Sequence, residues 1–185
     1  VAQRGCYAET GFPQNSVAEL KKAVEMKLFA SECDIHLTKD GKVVVYHDDY
    51  YLGNTCFKDA TYAELCAKGT LANGEKLPLL EEFIDVVLEG GCTQLWIDVK
   101  TLGDEAGGNA EASRTGIAAA QIVHEKRAKN FVGFIVGRLA IRDKVIPAVR
   151  SAWPVSYGAA AYEPGDFIAR DIPWANMKLA DFGLD

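Results

Sequence analysis

Apolar and polar residues alternate along this chain in two rhythms. Val17, Leu20, Val24 and Leu28 recur at helical spacing, with Glu19, Lys21, Lys22 and Glu25 mostly off that stripe, which predicts an amphipathic helix. Ser16 and Glu19 stand before it as S-x-x-E, the pattern of a capping box. Residues 30–37 read as a strand, and the Lys39-Asp40-Gly41 turn leads into a β-branched run over 43–46, which together predict a hairpin. A very short strand is expected at 1–3, followed by a loop to Asn15. Residues 48–78 read as irregular and aromatic-rich, with one short helix from Thr61, where Thr61 and Glu64 repeat the capping pattern. Helices are expected over 80–88, stopped by Gly90-Gly91, and over 111–127 and 141–152, the last bent by Pro147. Strands are expected over 95–99, 131–136, 155–157 and 178–180, and the Gly-rich stretch 101–110 reads as a loop.

Strand and helix alternating in this way predict an α/β fold, a parallel sheet with helices packed outside it. The 185 residues suit one domain, yet a full eight-stranded (β/α) barrel takes about 250 residues and about six barrel strands can be counted. The expectation is a single TIM-like barrel domain over 1–185, incomplete by about two strands.

Composition narrows the partners more than the fold. With 20 Lys+Arg against 26 Asp+Glu the net charge is −6, and without a basic cluster nucleic acid is a poor candidate partner. No apolar run is long enough for a membrane span. The chain opens on Val1, not Met, so cytoplasmic and exported locations both stay open, and oligomeric state is not legible. Cys6, Cys33, Cys56, Cys66 and Cys92 lack the close spacing of a zinc or redox site and read as buried or partly buried thiols, although Cys56 and Cys66 would be candidates for a bridge in an exported protein.

Candidate chemistry gathers on the strands. Glu32, Asp34 and His36 alternate along one strand and share a face, and Asp98 and Lys100 share another. Burying two carboxylates on one face is costly unless a cation lies between them, and oxygen ligands alone suit a hard cation, Mg²⁺ or Ca²⁺. In a barrel the C-terminal strand ends meet at one mouth, which would gather Glu32, Asp34, Asp98, Lys100, Arg4 and His47. Each has a plainer reading: Glu-x-Asp as a solvated strand edge, Asp98 and Lys100 as a surface pair, Arg4 as a surface cation, His47 as a loop histidine. Their conjunction is what points to a metal-assisted site for an anion such as a phosphate.

At these residues the chain resembles the glycerophosphodiester phosphodiesterase family. The motifs are Gln3-Arg4-Gly5, Pro13-Gln14-Asn15-Ser16, the block from Glu32 through Asp34, His36 and Thr38 to Gly41, His47-Asp48, Pro78 to Glu82, and Asp98-Val99-Lys100. Their order and spacing match over residues 1–100; beyond that the likeness is one of layout. The resemblance implies a barrel whose mouth holds one divalent cation on Glu32, Asp34 and Asp98, with Arg4 and Lys100 on the phosphate of a glycerophosphodiester. It implies His47 as one of two proton-handling histidines, and hydrolysis to glycerol phosphate and an alcohol. It also implies a capping insertion at about 49–78, whose aromatics Tyr50, Tyr51, Phe57 and Tyr62 read first as a local core and second as a wall for the glycerol end.

The departures from the family pattern carry as much information. Gln3 stands where the family has its first catalytic histidine, and an amide cannot shuttle a proton near neutral pH. Gln14 replaces a glutamate, and Asp98 replaces a glutamate with a side chain one methylene shorter. His36 reads as structural. The expectation is a metal-dependent phosphodiester hydrolase with impaired turnover, its rivals being a non-catalytic module for phosphodiesters or phosphosugars and a structural protein that keeps only the fold.

Overall fold

A computed structural model describes residues 1–101, 105–136, 153–157 and 174–176. The helix expected at 141–152 and the strand expected at 178–180 lie outside the described residues. Strands β1 (Ala30–Leu37), β2 (Val43–Val45), β5 (Gln94–Val99), β6 (Val132–Val136), β7 (Trp153–Tyr157) and β8 (Trp174–Asn176) form one sheet in the order β2-β1-β5-β6-β7-β8. From β1 to β8 every pairing is parallel. The strand expected at 1–3 shrinks to a single parallel bridge, Ala2 to Ser31, with Glu32 N–H donating to the Ala2 carbonyl at 2.8 Å.

One edge of β1 is shared between two partners. Ala2 takes its first half, and β2 returns antiparallel on its second half, Leu37 opposite Val43 and Ile35 opposite Val45. The turn between them has Gly41 at φ 78°, with Gly41 N–H donating to the Thr38 carbonyl at 3.0 Å. A turn this short permits only an antiparallel return, so β1 overshoots β5 and comes back as a hairpin.

Helices α2 (Val17–Glu25), α4 (Leu80–Gly90) and α5 (Glu105–Glu125) cover one face of the sheet. Leu20, Phe83, Ile84, Val87, Ala119 and Val123 meet Cys33, Ile35, Leu95, Ile97, Val99 and Phe134 there in one buried core. Because side chains alternate along a strand, Glu32, Asp34, Trp96 and Asp98 point to the opposite, inner face. Helix α5 starts at Glu105, within the stretch read as a loop; Gly107 and Gly108 each cost helix only about 1 kcal/mol, which the packed remainder outweighs. The four-residue helix α1 (Tyr7–Thr10) and strand β8 were not legible from periodicity, both being too short to show one.

The insertion builds its own core. Strands β3 (Tyr50–Tyr51) and β4 (Thr55–Cys56) pair, a 3₁₀ turn follows at Phe57–Asp59, and α3 (Tyr62–Lys68) carries the full capping box expected at Thr61 and Glu64. Tyr51, Phe57, Leu65 and Leu77 are buried together with Val44, and Tyr62 packs half-buried against them, its hydroxyl donating to the Leu77 carbonyl at 2.8 Å. Three of the four aromatics are thus a local core, and Tyr50 is exposed. Among the described residues no disulfide forms, Cys56 and Cys66 included; Cys92 is exposed, following the left-handed Gly91 that ends α4. Removing the centre of the insertion with Phe57→Ala is expected to cost about 3–5 kcal/mol in urea unfolding; a loss below about 1 kcal/mol would show that this core does not hold the insertion in place.

Candidate functional site

The register of β1 and β5 assembles the acidic cluster. Asp34 lies opposite Asp98, and Glu32 opposite Trp96 one step below. A carboxylate oxygen from each of Glu32, Asp34 and Asp98 comes within 4.8 Å of the others. Glu32 is 8% exposed and Asp34 only 1%, so Glu-x-Asp here is no solvated strand edge. Three acids this close cannot all ionise freely out of water. Burial, and then the charge of Asp34, push the Glu32 carboxyl up to about 8. Burial also raises Asp98, opposed by the ammonium of Lys100.

Cations answer that charge. Lys100 follows β5 directly, and its Nζ lies 2.7 Å from Asp34 Oδ1 and 2.8 Å from Asp98 Oδ2. Burial works against its charge, but those two carboxylates outweigh it and raise its pKa. Arg4 sits on a left-handed turn (φ 52°), its Nε 3.8 Å from Asp34 Oδ2, and its backbone N–H donates to Glu32 Oε2 at 2.8 Å. Asp98 and Lys100 do pair, as the plainer reading has it, but they and Arg4 are only partly exposed, and Lys100 and Arg4 also face Asp34. Gln3, next to Arg4, is exposed.

Two motif residues without an assigned role hold these groups in place. Asn15, buried and also left-handed (φ 57°), donates from Nδ2 to Asp34 Oδ2 at 2.8 Å and accepts the Asp34 N–H on Oδ1 at 3.2 Å. Gln14 accepts from Arg4 Nη1 at 3.1 Å. Asparagine tolerates the left-handed region, which was the available signal; the bond itself joins positions nineteen residues apart and leaves no local pattern.

His47 reaches the site by a route other than the one expected. It does not follow a parallel barrel strand. The antiparallel return of β2 carries the chain back down, Tyr46 N–H donating to the Asp34 carbonyl at 2.9 Å, so that His47 arrives at the level of the carboxylates. Its Nδ1 lies 2.6 Å from Asp48 Oδ1. His36 is buried, stacked on Phe57 with ring centroids 4.5 Å apart, and hydrogen-bonded to the backbone of His47.

The model of the glycerophosphoryl diester phosphodiesterase family matches residues 4–131. The chain belongs to that family. A glycerophosphodiester phosphodiesterase of Bacillus altitudinis is 27% identical over 161 residues, 79% of this chain and 64% of that protein. The crystal structure of a glycerophosphodiester phosphodiesterase from Parabacteroides distasonis superposes with a TM-score of 0.84 at 25% identity, over 98% of this chain and 74% of the other. An Oleispira antarctica phosphodiesterase, solved with the product sn-glycerol-3-phosphate, shares the fold at 19% identity and a TM-score of 0.75, over 98% of this chain and 75% of the other. The chain spans between 37% and 64% of the length of the curated relatives it matches. These likenesses make the fold that of the family's TIM barrel, to which the described residues contribute five parallel strands and the bridge at Ala2. Among the described residues no helix is long and apolar enough to cross a membrane.

In this member of the family His36 sets a pH dependence of its own. Burial brings its pKa down to about 4 from the ordinary 6.5, opposed by the bond to the His47 backbone. The unfolded chain takes up that proton as pH falls through 6.5, while the folded chain stays neutral to about 4. The stability His36 contributes is present above 6.5 and is lost as pH falls through that window. In urea unfolding, wild type is expected to lose stability relative to His36→Phe between pH 7 and pH 4.5. A difference between the two proteins that does not vary with pH would contradict this.

Proposed function

We propose that this chain binds a glycerophosphodiester through one divalent cation and two fixed cationic side chains, and that Gln3 leaves it a weak hydrolase. The observation that carries the reading is the convergence of Glu32, Asp34 and Asp98, one carboxylate oxygen of each within 4.8 Å of the others. A cation there would offset both the burial and the neighbouring charge that raise Glu32, and three carboxylate donors fit a hard ion, Mg²⁺ or Ca²⁺. Bound there, the ion would polarise a phosphoryl oxygen and offset developing negative charge.

The chain's own residues supply the rest. Glu32, Asp34 and Asp98 hold the ion; Arg4 and Lys100, already within reach of Asp34, engage the non-bridging phosphate oxygens. Asn15 fixes the orientation of Asp34. His47, braced by Asp48, carries a proton to the departing alcohol in this reading. Hydrolysis adds water across the phosphorus–oxygen bond, releasing glycerol phosphate and an alcohol; the water's proton needs an acceptor, and the Gln3 amide offers no titratable site for it. The glycerol-phosphate product held by the Oleispira antarctica protein of the same fold supports this substrate class. Gln3 itself favours a second reading, a binding module that holds such diesters without turning them over.

Turnover of a panel of glycerophosphodiesters with Mg²⁺ or Ca²⁺ separates the two. Gln3→His is expected to raise cleavage by about 10²–10⁴-fold, and Asp98→Asn added to it to abolish the gain. Binding of the diester with no cleavage by either the parent or Gln3→His would establish the binding module instead.

A further inference from the structure

Glu19 is a buried acid that the proposed chemistry does not use. As the third residue of α2 after the Ser16 cap, its carboxylate is expected to turn back to the Ser16 N–H and close the capping box. Only half of that box forms: Ser16 Oγ accepts from Glu19 N–H at 3.3 Å. The first amides of α2 are taken instead by Glu75 of the insertion, Val17 N–H at 2.8 Å and Ala18 N–H at 3.1 Å. The Glu19 side chain reaches across to the loop after Ala2, where it accepts from Cys6 N–H at 2.6 Å.

Everything at that contact argues for a fitted position. Glu19 is fully buried. Gly5 lies at φ 85°, and a Cβ there would stand 1.2 Å from Glu19 Oε2, so the carboxyl occupies the space an ordinary side chain would fill. Among the described residues its Oε1 has no hydrogen-bond partner. Burial drives its pKa up to about 8, opposed by the Cys6 amide and reinforced by Glu32 and Glu75, so at neutral pH it binds that amide chiefly as a neutral carboxyl.

The turn Arg4-Gly5-Cys6 is therefore held at two amides by two acids: Arg4 N–H on Glu32 from the inner face of the sheet, and Cys6 N–H on Glu19 from α2. Arg4 lies between these anchors. We propose that Glu19 is a positioning residue, a latch from α2 that sets the Arg4–Cys6 turn so that the Arg4 amide orients Glu32 and its guanidinium faces Asp34. Only the cation readout of the test rests on the function proposed above.

The test compares Glu19→Ala, which removes the acceptor, with Glu19→Gln, which keeps a carbonyl for the Cys6 amide. Val17→Ala trims the same helix without touching the turn and serves as the packing control. Calorimetry reads the Kd of Mg²⁺ or Ca²⁺ alone, and NMR amide exchange reads Cys6. Glu19→Ala is expected to weaken the cation by about 10–100-fold, the usual effect of losing a residue that orients a metal ligand, and to speed Cys6 exchange. Glu19→Gln is expected to restore both, and Val17→Ala to lower Tm with the Kd unchanged. Should Glu19→Ala not fold, Glu19→Asp, one methylene short of Cys6, takes its place with the same expected losses. Unchanged cation affinity in the truncated variant, failure of Glu19→Gln to rescue, or an equal loss in Val17→Ala overturns the proposal. If the parent binds no cation, the function proposed above fails separately, and Cys6 exchange alone then decides the latch: unchanged exchange in Glu19→Ala overturns it.

Discussion

Three carboxyl groups share one buried spot on the inner face of the sheet, and the surrounding structure is arranged around that repulsion. Like charges out of water raise one another's pKa and are tolerated only where cations and hydrogen-bond donors face them. Asp34 shows the response most fully: it accepts from Asn15, contacts Lys100 at 2.7 Å and lies 3.8 Å from Arg4. The fixed cations turn toward Asp34 and Asp98, while burial and then the charge of Asp34 push the Glu32 carboxyl up to about 8, and it takes the Arg4 amide.

The elements outside the sheet act on this spot through backbone. The β1–β2 hairpin overshoots the sheet and returns, bringing His47 down to the carboxylates. The insertion braces that return with Phe57 stacked on His36, and reaches α2 through Glu75. Helix α2 in turn reaches the Arg4 turn through Glu19. Insertion, helix and turn are thus joined by a series of hydrogen bonds ending at Glu32.

Much of this was legible in the sequence, and the failures have physical causes. Period-two alternation placed Glu32, Asp34 and His36 on one face, and the bounds of β1 are those the pattern predicts. The capping pattern was right in full at Thr61, where nothing competes for Glu64, and right by half at Ser16, where the Cys6 amide draws Glu19 away. Asp40-Gly41 announced the hairpin, yet its consequence for His47 was missed, because strand direction is set by pairing and not by composition. Asn15 and Glu75 went unassigned because their partners lie far along the chain. The glycines at 107 and 108 argued for a loop and lost to the packing of the remainder of α5.

In the proposed site Glu32, Asp34 and Asp98 are the ligands of one cation, and Lys100 partly balances their charge. Crystals soaked in Mn²⁺ and measured for anomalous scattering test it directly. One strong peak is expected within ligand distance of all three carboxylates, about 2.0–2.6 Å for hard divalent cations, with Lys100 Nζ drawn off at least one aspartate. Peaks confined to the protein surface, with Lys100 still bridging Asp34 and Asp98, would contradict it.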